Sequence, residues 1–232
     1  MIRKMTPPRI SNPKYVHIIL DNYVDDSTKA GARKIRGETE STRLHIGAYG
    51  QDMPSTADEW KCALGNSETK KSLFSLFCQY ILIGMAELEY TTIFNNINQT
   101  WMYNPRNKNI TKLFECNHEE ADTRMIYHAS LEGASNVVLC ANDSDVFILG
   151  TYACALDNNR NWFFNYEANT YSNLKKVAEL VGNAAIYLPQ YHALTGCDTT
   201  SYFYFRGKTG PWERAVKSPD SFHLIEDLRQ SS

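Results

Sequence analysis

The stretch Asn136 to Asp145, NVVLCANDSD, decides how the fold is read. NVVLCA is a short, continuous apolar run, the pattern of a strand covered on both faces rather than one. It runs directly into the acidic loop NDSD. A strand buried on both sides needs helices above and below it, which predicts an α/β arrangement with a mainly parallel central sheet.

Working outward, Tyr15 to Leu20, YVHIIL, is a second apolar and β-branched run, and it ends at Asp21. A basic segment, Lys29 to Arg36, reads as the helix after it. Downstream of Glu115, EEADTRMIYHASLEG sets Ala121, Met125, His128 and Ala129 at helical spacing behind acidic residues suited to a helix N-terminus. Gly133 is placed to close that helix. A second apolar run, Val146 to Leu149, and helices over 173–181 and 188–194 lead into GCDTT. Between Arg43 and Lys112 a polar stretch reaches Trp60, a helix is expected from Ser72 to Glu89, and an Asn-rich segment covers Asn95 to Asn109. Pro7, Pro8 and Pro13 mark residues 1–14 as an extended lead-in.

The 232 residues include 24 basic and 26 acidic side chains, a net charge of -2, so a nucleic-acid partner has to be held locally rather than by a global positive field. With 43% hydrophobic residues there is enough material for a buried core. The six cysteines form no CxxC pair and no signal-peptide pattern opens the chain, which favours a reduced, intracellular setting. Leu73 to Met85, the longest apolar stretch, is too short to cross a bilayer comfortably, so no membrane association is expected.

Four segments place carboxylates where an apolar element stops: Asp21, Glu120 with Asp122, Asp143 with Asp145, and Asp198. In a parallel α/β sheet the strand C-termini and the loops after them share one edge, so these side chains are expected to face one pocket, with Asp21 at its rim. Taken singly, each reads as a helix cap or a solvated loop residue. Taken together they are a like-charge cluster that needs protons or cations, and Mg²⁺ or Mn²⁺ favours such hard oxygen ligands. Two such ions about 4 Å apart serve phosphodiester hydrolysis in many nucleases.

In order and approximate spacing, EEADTRMIYHA, VVLCANDSDVFIL and HALTGCDTT resemble the successive acidic motifs of flap-endonuclease-like (5′ nuclease) PIN domains. They also resemble a group of multi-copy invertebrate proteins with a PIN-like core. The resemblance covers roughly Tyr15 to Lys217, with a weakly matched insertion over about 47–112 and a C-terminal tail over 218–232. It implies a PIN-like three-layer fold in which Asp21, Glu120, Asp122, Asp143, Asp145 and Asp198 hold Mg²⁺ or Mn²⁺ against DNA or RNA. It also implies that Lys29 and Arg36 orient the scissile phosphate and that Arg33 lies on the same nucleic-acid-binding face; a solvated basic helix face is the alternative reading of that segment. The family opens with a strand ending in another metal-binding Asp, for which the segment before Tyr15 offers no equivalent, so an N-terminally truncated fold is expected.

After Asp198 the family places a helix-hairpin-helix variant, which RGKTGPWERAVK, Arg206 to Lys217, resembles in shortened form. In that reading Lys208 and Lys217 reach phosphates; an ordinary turn before an amphipathic helix is the alternative. His192, Cys197 and Asp198 lie within seven residues on a helix and its following loop, a proximity that does not establish a nucleophile with its base, so His192 is read as a packed or partly exposed side chain. SYFYF, Ser201 to Phe205, is read as core. Two further functions stay open: a catalytically degenerate PIN-like domain that binds nucleic acid or protein, and a metal-dependent phosphohydrolase of small molecules.

Overall fold

The computed structural model describes residues 13–23, 31, 44, 53–84, 90–96, 99–131, 133–157, 159–167, 170–197, 200, 207–218, 220–222 and 227. The chain is mixed α/β and divides into two compact units, Ile10–Arg124 and Met125–Ser232.

In the first unit, strands β1 (Tyr15–Ile18), β2 (Thr91–Asn96), β3 (Gln99–Asn104) and β4 (Asn109–Glu115) form a sheet in that order. β1 runs parallel to β2, while β2–β3 and β3–β4 are antiparallel. Helices α1 (Ala57–Leu64) and α2 (Ser67–Gly84) accompany it. Local capping explains both helix starts. Thr56 Oγ1 accepts from the Glu59 backbone N–H at 3.3 Å while Glu59 reaches back to the Thr56 N–H at 3.2 Å, a reciprocal capping box. Asn66 Oδ1 accepts from the backbone of Glu68 and Thr69, which starts α2 five residues before the expected Ser72. Cys78 of α2 packs with Phe94 and Tyr103, joined by Ile18, Leu20 and Trp101.

In the second unit, β5 (Asn136–Cys140), β6 (Asn161–Glu167) and β7 (Thr170–Asn173) form a three-stranded sheet, parallel at β5–β6 and antiparallel at β6–β7. Helix α3 (Ala121–Leu131) crosses the unit boundary after Arg124. It is followed by α4 (Ser144–Leu156), α5 (Leu174–Val181), a 3₁₀ helix (Gly182–Tyr187), α6 (Leu188–Leu194) and α7 (Thr209–Lys217). Val137, Leu139, Val146, Cys154, Trp162, Phe164 and Leu174 form the core, with Met125, Ile126 and Ala129 packed against it. Gly150 lets α4 approach β5 closely: a Cβ there would stand 2.6 Å from Leu139 Cδ1 and 2.9 Å from Leu174 Cδ1. The run Val146–Leu149 belongs to α4, where Asp143 caps the helix in front of it.

The two sheets are mixed rather than mainly parallel. The difference arises in the Asn-rich segment and in residues 161–173, where short connections fold the chain back on itself and force antiparallel pairing. No described helix is long and apolar enough to cross a membrane.

Candidate functional site

In the first unit the end of β1 is stitched to the start of α3. Asn95, only 1% exposed, accepts from the Leu20 N–H at 2.7 Å and donates to the Leu20 carbonyl at 3.0 Å, extending the parallel pairing past Ile18 with a side-chain amide. The Asn22 N–H then donates to the Glu119 carbonyl at 2.7 Å, and Asp21 Oδ1 accepts from the Ala121 N–H at 2.8 Å. Ala121 stands between Glu120 and Asp122, so the three carboxylates of Asp21, Glu120 and Asp122 belong to one helix start although Asp21 is a hundred residues away in sequence. Asp21 supplies an acceptor to one of the helix's otherwise unmatched N–H groups, and its charge suits the positive end of the helix dipole.

Arg124 lies fully buried below this start. Its Nη2 donates to the carbonyls of Cys116 and His118, at 3.0 and 2.6 Å, and so pins the segment that leads into α3. Burial pushes the guanidinium below its ordinary value, while Cys116 and Asp21 act in the opposite direction.

In the second unit Asp143 is the N-cap of α4, its Oδ1 accepting from the Asp145 N–H at 2.9 Å. Asp145 Oδ1 lies 2.9 Å from His192 Nε2, and the other ring nitrogen, Nδ1, lies 2.8 Å from Lys208 Nζ. Cys197 and Thr200 are tied back to α6: Thr200 Oγ1 accepts from the Cys197 N–H at 3.0 Å and donates to the Ala193 carbonyl at 2.7 Å. Gly196 adopts φ 99°, a conformation that favours glycine, at the turn leaving α6.

Asp198, Lys29, Arg33 and Arg36 lie outside the described residues, as does the whole of SYFYF, Ser201 to Phe205, with Arg206. Lys208 and Lys217 are exposed at the two ends of α7, with no side-chain cap at its start. Asp21, Glu120 and Asp122 are brought together in one unit and Asp143 and Asp145 in the other. His192, read from sequence as packed or partly exposed, is the side chain that bridges two candidate site residues. Its helical placement carried no signal of this, because Asp145 and Lys208 are 47 and 16 residues away.

Among the described residues no group of three His, Cys, Asp or Glu side chains is gathered closely enough to hold a metal ion. The donor chemistry of the Asp143 and Asp145 pair nevertheless fits a hard divalent cation. Each has Oδ1 committed to a protein bond, and among the described residues neither Oδ2 has a hydrogen bond. No family model, curated protein or solved structure matches the chain.

Proposed function

We propose that the chain is a PIN-like domain that hydrolyses phosphodiesters of DNA or RNA with Mg²⁺ or Mn²⁺. The observation that carries the reading is the bond from the Ala121 N–H to Asp21 Oδ1, which joins the first and second acidic segments of the motif series at one helix start. From the motif resemblance, Asp21, Glu120 and Asp122 of the first unit, and Asp143, Asp145 and Asp198 of the second, are proposed as cation-holding residues, with no joint site between the units implied. Such ions, when bound, stabilise charge on the leaving oxygen and activate the attacking water.

The chain's own groups prepare for that chemistry by restraint. Capping α4 fixes the Asp143 carboxylate to the helix it starts, so its second oxygen is held without a further loss of side-chain freedom on binding. Asp145 is fixed in the same way by His192. Lys208 and Lys217 offer cationic side chains to phosphates along α7, and Lys29, Arg33 and Arg36 are proposed to do so near the reacting phosphate.

Melting the protein with and without divalent cation tests the metal half of this reading. A cation that binds only the native state raises the melting temperature, so Mn²⁺ is expected to stabilise where Na⁺ at matched ionic strength does not. Asp143→Asn should reduce that rise while preserving or strengthening nucleic-acid binding, because a repelling charge is lost. A wild-type melting curve indifferent to millimolar Mn²⁺ contradicts the proposal.

A further inference from the structure

Three separate parts of the second unit meet in one line of hydrogen bonds: Asp145 in the first turn of α4, His192 in α6, and Lys208 at the start of α7. The chemistry of the two ends sets the state of the middle. A lysine ammonium has only donors to offer, so His192 Nδ1 must accept from Lys208 Nζ. The proton of the neutral ring then resides on Nε2, and Nε2–H donates to Asp145 Oδ1. The His192 side chain is 12% exposed and that of Asp145 29%, so the contact is largely shielded from competing water. Ser144 Oγ adds a long contact of 3.5 Å to the same Oδ1. Both restraints fall on one oxygen of the carboxylate.

We propose that His192 is a positioning residue for Asp145: it holds Oδ1 through Nε2–H and so presents Oδ2 to a divalent cation, with Lys208 locking the ring tautomer from the other side. The inference rests on the metal-dependent reading given above. It reassigns Lys208 as well: one of its three N–H donors belongs to this line, which leaves two for a phosphate. Partners of metal-binding side chains in other proteins commonly change metal affinity about 10- to 100-fold when removed, and that is the size of effect expected here.

The test separates the two bonds that His192 makes. His192→Gln keeps an N–H donor with about the reach of Nε2, whereas His192→Asn is shorter and keeps a polar group only near the position of Nδ1. By calorimetric titration with Mn²⁺ alone, His192→Asn should weaken binding about 10- to 100-fold. His192→Gln should restore most of that loss. Ring ¹⁵N spectra of the metal-free wild-type protein near neutral pH should show the Nε2–H tautomer. A predominant Nδ1–H tautomer in the wild type overturns the proposal without any reference to metal. Unaltered Mn²⁺ affinity in His192→Asn, with the wild type binding normally, removes the positioning role and leaves the metal reading standing. Failure of the wild type to bind Mn²⁺ removes both.

Discussion

Replacing Asp21 separates its structural from its chemical contribution. In Asp21→Ala the Ala121 N–H loses its 2.8 Å acceptor, and buried Arg124 loses the carboxylate that favours its charged form. A hydrogen bond to a charged partner contributes about 1.5–3 kcal/mol net, and loss of a helix cap costs about 0.5–2 kcal/mol. Because these describe the same bond they are not summed, and about 2 kcal/mol is expected for Asp21→Ala. Asp21→Asn keeps an acceptor oxygen and caps about as well as Asp, so it should lose only the charge, about 0.3–1 kcal/mol. For a chain of this size each kcal/mol moves the midpoint by about 2–4 °C, giving drops of about 4–8 °C for Ala and about 1–4 °C for Asn. Thermal unfolding followed by circular dichroism in EDTA, which excludes any metal contribution, makes the comparison. An Ala variant that melts with the wild type, or an Asn variant that falls as far as Ala, would refute this account of how β1 and α3 are joined.

Burial lowers His17 from its ordinary value of 6.5 to about 4, so between those values the unfolded chain binds the proton that the folded one rejects. Stability therefore falls as pH is lowered from about 6.5 towards 4, and His17→Phe should flatten that part of a urea-midpoint-against-pH curve; an unchanged slope contradicts the assignment. Gly150→Val should destabilise the second unit by about 1–3 kcal/mol, since Leu139 and Leu174 must yield to the new side chain, and a neutral urea-unfolding result would show that α4 and β5 are not in such close contact. Asp157→Ala leaves the indole N–H of Trp162, a residue 1% exposed, without its 3.1 Å acceptor, and should cost about 1–3 kcal/mol by the same assay.

The elements legible in the sequence are those whose period and caps agree. Asn136–Cys140 is a strand as its apolar run predicts, but burial alternates along it, with Val137 and Leu139 buried and Cys140 exposed, so it is not covered equally on both faces; Leu174–Val181 begins behind Asn173, whose side chain accepts from the Lys176 N–H, and Leu188–Leu194 is helical. The hairpin strands β2, β3 and β4 were hidden by composition. The Asn-rich segment from Asn95 to Asn109 carried no strand assignment, yet Asn95 is buried because its amide completes the backbone pairing of Leu20. β4 shows no alternation because nearly all its side chains are exposed. At the candidate site, acidic segments following apolar elements were legible as a series. That Asp21 and Asp143 spend an oxygen each as helix caps was foreseeable only as the bland reading of each residue taken alone. The His192 bridge was not legible, because its partners are brought together only by the packing of α4, α6 and the start of α7.

The central claim is phosphodiester cleavage, and the direct measurement is a time course on end-labelled single-stranded and branched DNA and RNA with purified protein in Mn²⁺, beside EDTA and an Asp143→Asn, Asp145→Asn double variant. The account predicts shorter products from at least one substrate with the wild type in Mn²⁺, and none with EDTA or with the double variant. Stable binding of these substrates with no cleavage in Mn²⁺ or Mg²⁺ would contradict it and leave the binding-only domain as the function.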